Sequence, residues 1–184
     1  GGTPTAISPF TSYTVTATNA GGSGTTTVSI QVNDVPPYGV VFSGSPFTFT
    51  VGTLITPVLP SSNGGQVDTW SISPALPTGL TINPSTGELS GNPSAISPTT
   101  AYTITATNTG GSTTATVSIT VNDVIPSAII YNANPYTLTK DSAMTPDTPS
   151  VSGGAVESWS ITPVLPTGLV FNTSTGEISG TPTV

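Results

Sequence analysis

The sequence repeats itself at a spacing of 89 residues without a gap, and this constrains the fold more than any other feature. When residues 2–95 are paired with residues 91–184, 53 of the 94 pairs are identical. Trp70 then falls on Trp159 and Asn33 on Asn122. A period of this length fits one small β-sandwich domain better than any single supersecondary unit. We therefore expect tandem copies of one domain.

The phase of the repeat predicts where each copy begins. The sequence Val-Asn-Asp-Val with a nearby proline occurs at 32–36 and again at 121–126. We interpret residues 1–35 as the C-terminal part of one repeat, 36–123 as a complete repeat, and 124–184 as the N-terminal part of the next. Neither flank holds a whole set of strands, so each should leave a sheet edge or part of a core uncovered. We infer that the chain is part of a longer array, or that one copy completes another.

Alternating apolar and polar residues predict the strands of one repeat. Tyr102, Ile104 and Ala106 alternate with threonines, and the alternation resumes at 115–121 after the Gly-containing turn 108–111. This pattern indicates an antiparallel hairpin. Further strands are predicted at residues 47–51, 67–72, 80–82 and 88–90.

Proline and glycine set the fold class. The chain holds 19 prolines and 20 glycines, which leave no room for a long helix. Several short strands separated by turn residues predict an all-β sandwich.

Two segments of each repeat carry a family resemblance. The stretch from Trp70 to Leu80, followed by Ser85-Thr-Gly-Glu-Leu-Ser-Gly91, resembles the immunoglobulin-like repeat of large bacterial surface and haemagglutinin-type proteins. The second copy has the Gly-Thr-Pro ending typical of that family, whereas the first has Asn92 in place of the threonine. The resemblance covers nearly the whole chain. It implies tandem immunoglobulin-like or cadherin-like β-sandwich domains and says little about activity.

The likeness to cadherin-like domains raises the question of calcium, because cadherin linkers hold that ion through Asp and Asn. Asn33 and Asp34 stand at one predicted linker, and Asn122 and Asp123 stand at the other. The dense acidic cluster of a cadherin linker is missing. We expect no cofactor, with calcium at these four residues as the alternative.

Charge and composition exclude several classes of function. The net charge is −7, and a single lysine is the only basic side chain, so the chain lacks the cations that phosphate backbones require. Without cysteine or histidine it has no thiolate or imidazole for metal binding or nucleophilic catalysis. No apolar run approaches the roughly 20 residues that cross a bilayer. We expect no nucleic-acid partner and no membrane insertion in this segment.

Acidic pairs recur in the repeat: Asp68 and Glu88 return as Glu157 and Glu177. Such a pair could serve a glycosidase or bind calcium. The alternative is a solvated acid on a strand and a glutamate that closes a turn, and with few other ionisable groups available we favour it. We expect no catalytic residues and no enzyme.

The position of the recurring tryptophans distinguishes a structural repeat from a glycan-binding module. Trp70 and Trp159 lie among apolar residues, which favours a place in the core, although an exposed ring could stack on a sugar. We therefore expect a structural repeat of an extracellular or cell-surface stalk, filament or adhesin, providing length and self-association. Its partners would be neighbouring copies, joined head to tail or laterally, because low charge opposes contact only weakly. The alternative is a module that binds glycans or another ligand.

Overall fold

The computed structural model describes all 184 residues and divides them into two compact units, Gly1–Asn122 and Asp123–Val184. Every regular element is a β-strand, which confirms the all-β expectation. No helix is long and apolar enough to cross a membrane. The first unit contains β1 (Ser8–Asn19), β2 (Gly22–Val32), β3 (Tyr38–Phe42), β4 (Phe47–Thr50), β5 (Pro60–Asn63), β6 (Thr69–Ser73), β7 (Leu80–Ile82), β8 (Leu89–Gly91), β9 (Ser97–Asn108) and β10 (Gly111–Asn122). The second contains β11 (Ser127–Ile130), β12 (Ser150–Ser152), β13 (Leu169–Phe171) and β14 (Ile178–Gly180).

A four-stranded sheet in the order β4-β10-β9-β6 forms one layer of the first unit. The strands β9 and β10 are the predicted hairpin, and β6 joins β9 in an antiparallel pair. The strand β4 runs parallel to β10, with Phe47 opposite Ile119 and Thr50 opposite Asn122. Each predicted strand of the repeat is therefore present, with ends shifted by a few residues.

A second layer consists of the pairs β3-β5 and β7-β8, linked by a bridge between Val58 and Leu89. Apolar side chains from both layers meet in one core, as the period-two pattern requires. The buried members are Phe42, Phe47, Ile55, Trp70, Leu80, Leu89, Tyr102, Ile104, Ala106, Val117, Ile119 and Val121.

Trp70 lies in this core with only 7% of its surface exposed. Its ring meets Phe42 edge-on, with 6.2 Å between ring centroids and 87° between planes. The turn before β8 also packs against this ring, since a Cβ atom on Gly87 would come within 2.6 Å of Trp70 Cδ2. The prediction of a core tryptophan is confirmed here, and a buried ring offers no face on which a sugar can stack.

The second unit has one such layer. It contains the pairs β11-β12 and β13-β14, which lie 89 residues after β3-β5 and β7-β8. A bridge between Asp147 and Ile178 links the two pairs, as the bridge between Val58 and Leu89 does in the first unit. Residues 136–139 and 158–162, which correspond to β4 and β6, are not strands.

Candidate association interface

The β1-β2 hairpin presents an uncovered apolar face, because neither strand pairs with any other strand. Tyr13 and Ile30 are each 48% exposed. Their counterparts 89 residues on, Tyr102 and Ile119, are 3% and 0% exposed. A face of this kind is typical of a surface that is covered by protein, either by more of the same polypeptide or by a partner.

The uncovered face carries nearly the same side chains as the buried one. The registers agree, with Tyr13 opposite Val28 as Tyr102 is opposite Val117. Seven residues of β9-β10 are buried, and six of their counterparts are identical; Val15 stands where β9 has an isoleucine. The counterparts are Tyr13, Val15, Ala17, Asn19, Val28, Ile30 and Val32. The hairpin therefore carries what the core of a complete sandwich needs from these two strands.

Residues 123–184 end before the positions equivalent to β9 and β10, which cover the corresponding layer in the first unit. Trp159, Leu169 and Ile161 are more exposed than Trp70, Leu80 and Ile72, the residues to which they correspond. An open cleft of about 330 Å³ lies against this layer, and the charged Lys140 is among the residues that line it. Its apolar lining includes Tyr136, Leu138, Leu165, Leu169, Ile178 and Val184.

A hydrogen-bonded pair stands beside the cleft where the first unit has Phe47 and Val58. Tyr136 Oη donates to Asp147 at 2.7 Å, and the peptide N–H of Ala133 donates to the same carboxylate at 3.1 Å. These bonds hold the pKa of Asp147 below its ordinary value. Burial, together with the bond to Asp147 and its negative charge, raises the pKa of Tyr136 to about 12. At neutral pH Asp147 is therefore an ionised carboxylate and Tyr136 a neutral phenol. The phenol keeps its proton and donates it in the hydrogen bond that links the two residues.

The residues considered for calcium make local contacts. Asp34 Oδ1 accepts a hydrogen bond from Val35 N at 2.7 Å, and Asp123 Oδ1 accepts one from Val124 N at 2.7 Å. Asn33 follows the end of β2, and Asn122 is the last residue of β10. Calcium binding at these positions stays a prediction.

The recurring acids take different places. Asp68 is exposed just before β6. Glu88 closes the turn before β8, since its carbonyl oxygen accepts a hydrogen bond from Asn83 N at 2.8 Å. The carboxylate of Glu177 accepts a bond from Thr148 Oγ1 at 3.3 Å. The interpretation of the glutamate as a turn residue is confirmed for Glu88.

Asn108 is a structural residue that the sequence reasoning missed. Its Nδ2 donates to the carbonyl oxygens of Val35 (2.8 Å) and Gln66 (3.1 Å). Its Oδ1 accepts from the backbone of Gly110 (2.9 Å) and Gly111 (3.2 Å). All four hydrogen-bonding positions of the buried amide are thus used. The Asn-x-Gly-Gly motif predicts the turn bonds, whereas the bonds to distant carbonyls arise only from the tertiary fold.

The sequence of the sandwich matches a known family. Residues 39–122 and 124–184 match the family described as "Putative Ig domain". The chain belongs to this immunoglobulin-like family. Among curated proteins, this Ig-like chain is similar to "Serine-rich adhesin for platelets" of Staphylococcus aureus, with 30% identity over 176 residues. The match covers 94% of the chain but 7% of the adhesin, and 12% of the adhesin from strain MRSA252.

Solved structures that match the chain include two proteins of low sequence identity. The insect immune protein hemolin matches 93% of the chain and 49% of its own length, with 16% identity and a TM-score of 0.47. The I67–I69 fragment of titin matches 94% of the chain and 64% of its own length, with 14% identity and a TM-score of 0.44.

Proposed function

We propose that this Ig-like chain is a structural and adhesive module of an extracellular stalk, filament or adhesin at a cell surface, and that it catalyses no reaction. The curated relative named above is an adhesin of which the chain spans a small part. The main support for the proposal is the parallel pairing of β4 with β10, because it would resist pulling on the two ends of the complete sandwich.

The polypeptide enters and leaves the sandwich at opposite ends. Asp34 lies beside the β9-β10 turn, where its N–H donates to Thr109 Oγ1 at 3.3 Å. The chain leaves at Asn122, the last residue of β10. Asn122 lies eleven extended residues beyond Gly111, so the points of entry and exit are about 37 Å apart. Each complete sandwich therefore adds length along the direction of the chain.

The parallel pairing of β4 with β10 resists pulling along that direction. Because β4 follows the point of entry and β10 leads to the exit, pulling the two ends apart slides these strands past each other. The hydrogen bonds between these strands include the one from Val51 N to Asn122 O at 3.0 Å. Sliding loads all of these bonds at the same time, whereas peeling would break them one after another. This geometry suits a spacer under tension.

Single-molecule force spectroscopy on the full chain tests the proposal. We expect a sharp unfolding event for residues 36–122 that releases about 28 nm of contour length. Val51→Pro should lower the force of this event, because it removes the N–H that bonds to Asn122. Val51→Ala is the matched control: it trims the side chain but keeps that bond, so it should lower the force less.

Extension of the wild-type chain without a force step of this length would contradict the mechanical role. An antibody against residues 36–122, applied to intact source cells, tests the extracellular location. Absence of labelling until the cells are opened would contradict that part of the proposal.

A further inference from the structure

We propose that Asn63 is a site of spontaneous covalent modification, at which the folded chain loses ammonia and gains a carboxylate. Asn63 is the last residue of β5 and is exposed, and the residue that follows it is the exposed Gly64. An asparagine can cyclise onto the next backbone nitrogen, and it does so most readily where the next residue has no Cβ atom in the way. The modification is independent of the mechanical role proposed above.

The reaction needs only water as co-reactant. The backbone nitrogen of Gly64, after losing its proton, attacks Cγ of Asn63, and the new N–Cγ bond closes a succinimide ring. The Cγ–Nδ2 bond breaks, and Nδ2 takes up a proton and leaves as ammonia. Water then opens the ring at either of its two carbonyl groups. One opening gives aspartate, and the other gives isoaspartate, in which the backbone runs through Cβ and Cγ of residue 63.

The residue after each asparagine makes this site distinct. Only Asn63 precedes a glycine. Proline has no N–H to lose and cannot attack, and it follows Asn83, Asn92 and Asn134. The other asparagines precede residues whose Cβ atom hinders the approach. The second unit has Ser152 at the equivalent position, so the site belongs to the first unit alone.

The fold leaves both reacting groups free of hydrogen bonds. The N–H of Gly64 donates to no acceptor, whereas the next N–H, that of Gly65, donates to Val35 O at 3.1 Å. The side-chain amide of Asn63 also makes no hydrogen bond. By contrast, turn bonds from backbone N–H groups hold the amides of Asn19 and Asn108. No bond must therefore break before residue 63 can react.

The side chain of Asn63 lies over an exposed glycine of the neighbouring strand. A Cβ atom on Gly39 would come within 3.1 Å of Asn63 Nδ2. In the second unit the two positions hold Ala128 and Ser152, a residue with a Cβ atom and a shorter partner. Because the amide rests on the surface of β3, water can reach the ring that forms there.

The isoaspartate product would disturb the segment that leads into the sandwich. A Cβ atom on Gly64 would come within 2.2 Å of Pro36 O. One on Gly65 would come within 2.4 Å of Val35 O. The two glycines thus pack on this segment without spare room, and an extra backbone methylene before them must displace them. We expect the bond from Gly65 N to Val35 O to break first.

Peptide mass spectrometry of the full chain, incubated in mildly alkaline buffer, tests the site. The peptide that contains Asn63 should gain the mass of one deamidation at least about tenfold faster than those with Asn19 or Asn108. Its rate should rise with pH, because the attacking nitrogen must lose its proton. The product should separate into two isomers of equal mass, aspartate and isoaspartate. Faster reaction at another asparagine would overturn the proposal.

Asn63→Ser is the matched control, because the second unit has serine at this position. It should show no mass gain at residue 63. The wild-type chain unfolded in guanidinium gives the rate without a fold. A folded rate within about a hundredfold of that reference supports a site that the fold leaves open, and a slower one would overturn it.

Hydrogen exchange at the Gly65 amide separates the two products. The isoaspartate form, isolated from the aged chain, should exchange this amide at least about tenfold faster than the fresh chain, since its bond to Val35 O is lost. Asn63→Asp keeps the ordinary backbone and should exchange as the wild type does. Unchanged exchange in the isoaspartate form would overturn the effect on the entry segment. Equally fast exchange in Asn63→Asp would show that charge, and not the extra methylene, loosens it.

Discussion

The β1-β2 and β9-β10 hairpins share 18 of 25 residues between positions 8–32 and 97–121, and the register of their strands agrees. One lies between β4 and β6 with its apolar face buried, and the other stands outside any larger sheet. Two nearly identical hairpins thus differ in burial because of what flanks them. Alternation sets which face is apolar, and the neighbouring strands decide whether that face meets protein or water.

The largest expected difference between the hairpins concerns a core isoleucine. Ile119→Ala should lower the free energy of unfolding of the complete sandwich by about 2–5 kcal/mol, because it leaves a cavity at a fully buried site. Ile30→Ala should change it by about 0.5 kcal/mol or less, since that side chain is half exposed. Urea unfolding of dilute protein, followed by Trp70 fluorescence in a Trp159→Phe background, measures both. Similar losses would show that β1-β2 already contributes to this core.

A smaller difference should separate the two turn asparagines. Asn108→Ala removes four hydrogen bonds and leaves the carbonyl groups of Val35 and Gln66 without that donor, which should cost about 1–3 kcal/mol. Asn19→Ala removes one exposed bond, from Gly21 N at 2.8 Å, and should cost about 0.5 kcal/mol. The same unfolding assay compares them. A loss for Asn19→Ala as large as that for Asn108→Ala would mean that the first hairpin also clamps a distant segment.

The smallest expected effect depends on pH and belongs to the second unit alone. The lowered pKa of Asp147 favours its ionised form in the fold, so this stabilisation holds above the unfolded value near 4 and is lost as pH falls through the folded value. The raised pKa of Tyr136 acts oppositely: its contribution holds below about 10 and is lost as pH rises toward 12. The first unit has Phe47 and Val58 at these places and should show neither effect.

Tyr136→Phe sharpens this comparison, because it removes the bond and keeps the ring. NMR titration of the Asp147 carboxyl should then give a pKa closer to the ordinary value. An unchanged pKa in the variant would show that the backbone N–H groups, and not the phenol of Tyr136, lower the pKa of Asp147.

Most strands followed from the alternation of apolar residues, which is why β9, β10 and β4 could be placed from the sequence. The pair β3-β5 could not. The strand β5 is Pro-Ser-Ser-Asn, which has little intrinsic preference for extended structure, and it is a strand because β3 lies beside it. The apolar run Val40-Val-Phe42 in β3 was a signal for one of the two strands.

The candidate interface was predictable in outline only. The phase of the repeat predicts that both flanks lack strands, and their uncovered surfaces follow from it. The bond between Tyr136 and Asp147 was not predicted, although an acid at the position of Val58 is a visible departure from the repeat. Hydrogen bonds between side chains eleven residues apart depend on how the chain turns, which alternation does not encode.

The clamp at Asn108 has a consequence for the stiffness of an array. By holding Val35 O and Gln66 O, this amide fixes the segment that leads into its own sandwich. The equivalent carbonyl groups of the second unit are those of Val124 and Ala155. Because a clamped entry segment cannot rotate freely, the joint before a complete sandwich should bend less than an unclamped linker of the same length.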